Sequence, residues 1–207
     1  MEPNIPAEVQ AIANALLGGG FEAYLVGGCV RDLLLKREPK DWDITTDARP
    51  DEVQKLFKDS VYENEFGTVG VKTESDEPAL KIIEVTTYRI EGRYTDKRHP
   101  DEVRFANTVA EDLSRRDFTV NALALNVVKG IAGDVVDPFG GQADLKKKLI
   151  RAVGEPARRF EEDALRLMRA VRLAVELGFK IEKKTAAALA ERAGLIEAVA
   201  KERIRDE

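Results

Sequence analysis

The change of texture near Arg151 constrains this chain more than any other feature. Before it, short apolar runs bounded by glycines alternate with helical stretches; after it only helical periodicity remains, over 156–177, 183–192 and 195–205. A chain divided in this way predicts an α/β head to about residue 150 and a helical extension over 151–207. Within the head, 7–17 reads as a helix closed by Gly18-Gly19-Gly20. Residues 23–26 then form a strand, Gly27-Gly28 a tight turn, and 30–35 a helix. A second strand is expected at 42–45 and a helix at 52–57 behind Pro50. From Val61 to Thr87 the pattern is β-like, with strands at 68–73 and 80–87. A polar loop over 91–101, a strand at 103–105, a helix at 110–115, an apolar segment at 120–128 and a turn at 137–141 complete the head.

Composition narrows the chemistry. The single cysteine, Cys29, and single histidine, His99, permit no internal disulfide and no Cys/His zinc site. A metal would have to be held by carboxylates, which favours a hard ion such as Mg²⁺. No stretch approaches the roughly 18 to 20 apolar residues that span a bilayer. The N-terminus lacks the basic-then-apolar pattern of a secretory signal, so a cytoplasmic, non-membrane protein is expected. Charge is unevenly spread: residues 151–207 hold 13 basic and 11 acidic groups, against 20 and 27 in residues 1–150. An acidic head beside a mildly basic helical end is compatible with a metal site next to a phosphate-binding surface.

Two local patterns give that idea residues. In Asp41-Trp42-Asp43, alternation along a strand would project both carboxylates to one side and turn Trp42 and Ile44 to the core. Paired carboxylates repel unless a cation lies between them, and two-metal phosphoryl or nucleotidyl transfer uses that arrangement. Alone, the pattern is better described as an exposed polar strand edge, just as Glu84 alone is an ordinary strand residue. Gly27-Gly28-Cys29-Val30-Arg31-Asp32 joins strand to helix, where glycines admit a phosphate to the backbone and Arg31 can grip it. Neither a Walker A loop nor a Gly-x-Gly-x-x-Gly fingerprint is present.

These motifs stand in an order that resembles the class II tRNA nucleotidyltransferases, the bacterial CCA-adding enzymes and their relatives in the polymerase-β superfamily. Gly27 to Asp32 with Asp41-x-Asp43 is similar to their first motif, Glu84 to Arg89 to their third-carboxylate strand, and Arg115 to Ala122 to their second motif. Asp137 to Gly141 resembles the third, Glu162 to Arg166 with Arg169 and Arg172 the fourth, and Lys201 to Arg205 the start of the fifth. The resemblance implies an α+β fold: a polymerase-β-like head with a mixed sheet and flanking helices, then an all-helical neck. It implies catalytic Asp41, Asp43 and Glu84, with Mg²⁺ on Asp41 and Asp43. Gly27, Gly28, Arg31 and Arg116 would contact the nucleotide, mainly its phosphates, and Asp117 and Asn121 its sugar side. Asp163, Arg166, Arg169 and Arg172 would line the base pocket and its rim. ATP, CTP and the tRNA 3′ end are the implied partners; oligomeric state is left open.

The fourth motif also has a reading from its own chemistry. On one helix, Asp163 and Arg166 are three apart and share a face. Asp offers acceptors and Arg donors, which matches the amino group and unprotonated ring nitrogen of cytosine and adenine, and mismatches uracil and guanine. The plain alternative is a helix with surface salt bridges. The polar segment Gly92 to Pro100 favours CCA or A addition by the resemblance. Gly67-Thr68-Val69-Gly70 after Phe66 departs from the basic signature of poly(A) polymerases. The chain stops within the fifth motif, so a fragment lacking the tRNA-holding body and tail is expected. CC-only, A-only or poly(A)-adding enzymes remain as alternatives, with an inactive nucleotide- or RNA-binding module as the non-enzyme one.

Overall fold

The structure, a computed structural model, describes residues 5–64, 67–92, 103–128 and 131–207. Helix α1 (Ala7–Gly18) buries Val9, Ile12, Ala13 and Leu16, the recurrence that fixes one face of a helix to a core. Strand β1 (Tyr24–Val26) turns through Gly27 into α2 (Gly28–Leu34), and β2 (Asp43–Thr46) leads to α3 (Pro50–Leu56). Strands β3 (Ser60–Asn64), β4 (Thr68–Lys72) and β5 (Ile82–Thr87) follow, then β6 (Arg89–Glu91) and β7 (Val103–Phe105), which pair with each other. Next come α4 (Val109–Ser114), a 3-10 turn (Thr119–Asn121), β8 (Ala124–Val128), β9 (Ile131–Val136), α5 (Gly141–Lys147) and β10 (Leu149–Ile150). The remainder comprises α6 (Pro156–Glu162), α7 (Leu165–Leu177), β11 (Lys180–Ile181), α8 (Lys183–Arg192), a 3-10 segment (Ala193–Ala198) and α9 (Lys201–Asp206).

Among the described residues one seven-stranded sheet runs in the order β3-β4-β5-β2-β1-β8-β9. Strand β2 lies parallel to β5 and antiparallel to β1, so the sheet is mixed, as the resemblance implies, and β2 is its central strand. Leu25, Ile44, Val69 and Val85 are buried in one cluster with α1 and Val30 of α2. Val26, Tyr88, Ala106, Leu113 and Ala124 form a second cluster with α4. Trp42 and Ile44 both belong to the first cluster, so the expected alternation through Asp41-Trp42-Asp43 is present. Strand β2 itself starts only at Asp43.

Two expectations change. The stretch from Pro156 to Leu177 is two helices, not one, because Asp163 is extended (φ −139°, ψ 106°) and its Oδ1 accepts the Leu165 N–H at 3.1 Å. An aspartate at that point competes for backbone donors and starts a new helix. The region after residue 150 is helical except for Lys180–Ile181, which pairs in parallel with Leu149–Ile150. Two residues carry too little alternation to be read from sequence. The junction is further closed by backbone bonds from Thr119 N to the Arg151 carbonyl (2.9 Å) and from Val153 N to the Asp117 carbonyl (3.0 Å). Strand β9 and helix α5 had no expected counterpart. Residues 93–100, most of the polar loop, lie outside the described residues, as do Phe66 and His99.

Candidate functional site

Gly27 has φ +82°, a left-handed conformation that favours glycine, and its N–H donates to the Leu123 carbonyl at 3.2 Å. A Cβ there would lie 2.8 Å from Arg116 Nη1 and 3.7 Å from Asp43 Oδ2. One on Gly28 would lie 3.7 Å from both Arg31 Nη2 and Asp41 Oδ1. The glycine turn is thus the floor on which both carboxylates and two arginines converge. Glu84 stands beside Asp43 in register on β5. Among the described residues, no group of three or more His, Cys, Asp or Glu side chains is gathered closely enough to hold a metal by itself. Two carboxylates suit Mg²⁺, which keeps several waters and takes other oxygens from substrate phosphates.

Burial pushes the Asp43 carboxyl up to about 6, and neighbouring Asp41 adds to the rise while Arg116 opposes it. The folded value exceeds the ordinary 3.8. Hence protonated Asp43 favours the fold below about pH 4, and that contribution is lost as pH rises through 6. Without divalent cation, Asp43→Asn should therefore match the parent's melting temperature near pH 4 and exceed it increasingly toward pH 7. Melting curves across that range test the sign; a gap that narrows with rising pH would contradict it. Added Mg²⁺ should close the gap at pH 7 by stabilising only the parent.

The arginines are held by partners of their own. Arg31 forks Asp32 through Nε (2.9 Å) and Nη2 (3.0 Å), and its Nη1 donates to Asn121 Oδ1 (2.9 Å). Asp117 Oδ2 accepts from Arg169 (3.0 Å), and its Oδ1 accepts from Phe118 N (2.7 Å). Burial raises the Asp117 carboxyl, but Arg169 and Arg166 outweigh it and hold the group below the usual carboxylate range. Arg166 donates to Glu162 (2.9 Å) and to the Arg115 carbonyl (3.2 Å). Arg169 and Arg172 both reach Glu207, at 3.4 and 2.8 Å.

A cavity of about 720 Å³ lies between the glycine turn and α7, and all thirteen candidate residues line it. They are Gly27, Gly28, Arg31, Asp41, Asp43, Glu84, Arg116, Asp117, Asn121, Asp163, Arg166, Arg169 and Arg172. Contrary to expectation, Asp163 and Arg166 do not share a helix face, since Asp163 precedes α7. They meet the cavity because Asp163 caps the helix on which Arg166 forms the first turn.

A family model described as "Poly A polymerase head domain" matches residues 23–151. The chain belongs to this family. A second model, described as "Probable RNA and SrmB- binding site of polymerase A", matches residues 178–207. The CCA-adding enzyme of Lactobacillus helveticus is 46% identical over 99% of the chain and 49% of its own length. That of Enterococcus faecalis is 48% identical over 98% and 48%. The chain therefore spans about half the length of the curated relatives it matches. Among solved structures, the Bacillus stearothermophilus CCA-adding enzyme in complex with CTP superposes with a TM-score of 0.83 at 40% identity, covering 95% of this chain and 46% of that one. A tRNA nucleotidyltransferase complexed with a primer tRNA and an incoming ATP analog gives 0.73 at 32%, covering 93% and 53%.

The cavity is also lined by residues that belong to no sequence motif. Lys40, at the cavity mouth, bonds Glu176 on α7 at 3.0 Å although they are 136 positions apart. Glu207 is nearly buried between Arg169 and Arg172. Neither has a local signal, because each acquires meaning only from a distant partner. By contrast Asp137, in the third motif, is absent from the cavity lining and caps α5 through Gly141 N (2.7 Å) and Gln142 N (3.0 Å).

Proposed function

We propose that this chain is the head and neck, residues 1–150 and 151–207, of a cytoplasmic, template-independent tRNA nucleotidyltransferase. It adds C and A from CTP and ATP to the 3′ end of tRNA, with Mg²⁺ held by Asp41 and Asp43. The observation that carries the reading is one cavity faced on one side by two carboxylates over a glycine turn and on the other by an arginine-bearing helix start. The similarity to CCA-adding enzymes, with CTP, an ATP analog and primer tRNA in two of the similar structures, supports the same reading.

Each residue has a task. Gly27 and Gly28 leave room for phosphates against the backbone. Arg31 keeps two of its five N–H groups free of other described residues and, with Arg116, neutralises the triphosphate. When bound, the divalent ion lowers the cost of charge building on the attacking and leaving oxygens. Asp117 and Asn121, tied to each other and to Arg169 and Arg31, order the sugar side. Asp163 Oδ2 takes no hydrogen bond from described residues, so it accepts from the amino group of cytosine or adenine while Arg166 donates to the ring nitrogen. Uracil and guanine would leave both groups unpaired, a penalty of about 1–3 kcal/mol each.

Primer extension tests the reading. The whole protein is given tRNAs ending before CCA, after C and after CC, with CTP, ATP or both. Completion of CCA with both nucleotides, and none with UTP or GTP, is expected. Stopping after CC or adding only A assigns the narrower activities; long A tracts assign poly(A) synthesis, and no extension assigns a binding module.

A further inference from the structure

Asp112 on α4 has a completely buried side chain, yet its carboxylate serves four groups. Its Oδ1 accepts from Arg115 Nε at 2.9 Å and from the Arg89 backbone N–H at 3.3 Å. Its Oδ2 lies 3.4 Å from the Thr45 hydroxyl, whose single hydrogen is shared with the Thr86 carbonyl at 3.1 Å, and 3.8 Å from Arg116 Nη2. Burial raises this carboxyl, but Arg115 and Arg116 outweigh it and keep the group ionised. A buried charge of this kind is tolerated only where several donors meet it. The helix that presents it is fixed by a reciprocal cap: Glu111 N donates to Thr108 Oγ1 (3.3 Å), and Thr108 N to Glu111 Oε2 (3.0 Å).

The consequence falls on Arg116. Its Nη1 and Asp43 Oδ2 both lie within 3.7 Å of the point a Cβ on Gly27 would occupy, and its Nε is buried with no hydrogen-bond partner. Arg116 therefore lies between Asp43, whose charge it feels, and Asp112, its one ion-pair partner among the described residues. Thr45 sits two positions after Asp43 on the same strand, so one carboxylate references the arginine to the strand bearing the catalytic aspartate.

We infer that Asp112 is a positioning residue, holding the Arg116 guanidinium over the glycine turn where it meets nucleotide phosphate, and holding it off Asp43. The inference rests on the functional reading above, in placing phosphate at that turn. Without the charge at 112, Arg116 turns to Asp43 and is lost to the triphosphate.

Binding of CTP and of cytidine to the protein, with Mg²⁺ present, separates this role from a structural one, because cytidine lacks phosphate. Arg116→Ala should weaken CTP about 30-fold and cytidine less than about twofold, the scale of one charge-assisted contact. Asp112→Asn should weaken CTP about tenfold, spare cytidine, and add nothing in the Arg116→Ala background. An equal loss in that background, or equal losses for cytidine and CTP, overturns the role. If Asp112→Asn does not fold, Thr45→Val, which removes one contact to Asp112, should still show a CTP-specific loss of about two- to threefold. No such loss also overturns it. Failure of the functional reading looks different: the unmodified protein would bind CTP no better than cytidine, which removes both.

Discussion

Replacing Asp43 with asparagine is expected to reduce nucleotide addition by at least about 10³-fold while leaving the fold intact. The side chain is isosteric, so packing around Trp42 and Ile44 is undisturbed, but one of two carboxylates over the glycine turn loses its charge. The other proposed ligand, Asp41, is exposed and would not by itself hold an ion against water. Nucleotide affinity should fall far less, because Arg31, Arg116 and the α7 arginines are untouched. Unfolding should become harder at neutral pH without divalent cation: a carboxyl raised from 3.8 to about 6 corresponds to a cost of at most about 3 kcal/mol for its ionised form. Loss of activity with gain in metal-free stability is the signature of a group selected for chemistry over packing. Single-turnover extension and thermal melts on the same preparation would read both. Full activity in Asp43→Asn would remove the metal assignment and with it the proposed reaction.

The parts of the site legible in the sequence were those whose chemistry is local. Asp41 and Asp43 are two residues apart beside a strand, and Gly27-Gly28 sits where a strand must turn into a helix, so spacing alone brings them together. The break at Asp163 was hidden because apolar periodicity continues through it: Phe160, Ala164, Leu167 and Ala170 are all buried at helical intervals. The available signal was an aspartate shortly before an apolar run, which marks a helix start as well as a helix face. Asp112 was illegible for a different reason. It reads as one more charge on a polar helix, and only the packing of α4 against Thr45 and Arg89 turns it inward. The same holds for Lys40 and Glu176, joined by the approach of α7 to the head. Strand β9 and helix α5 have no counterpart in the sequence reading, which gives the segment between the apolar run 120–128 and Arg151 only a turn at 137–141. In the structure Asp137 closes the turn by capping the next helix.

That cap leads to the largest expected effect on stability. A methyl group at Gly141 would overlap the Thr119 carbonyl oxygen and stand 2.9 Å from Leu123 Cδ2. The obstacle is backbone, which cannot rotate aside as a side-chain tip can. Here α5 packs against the 3-10 turn Thr119–Asn121, and Thr119 Oγ1 also donates to buried Asp144 at 2.7 Å. Asp144 in turn accepts two bonds from Arg151, both at 3.0 Å. Moving either element aside would strain this network, so Gly141→Ala should cost about 3 kcal/mol, the upper range for overpacking. In a chain of this size that is a fall of roughly 6–12 °C in melting temperature. The displaced turn carries Asn121, the partner of Arg31. Nucleotide affinity should therefore drop in the folded variant although residue 141 does not line the cavity. Gly140→Ala supplies the contrast, since a Cβ there meets nothing within 4 Å and only its left-handed φ of +75° is strained. It should cost about 1 kcal/mol and leave nucleotide affinity unchanged. Equal melting temperatures for the two variants would mean that the Thr119 carbonyl is no obstacle to a side chain at 141.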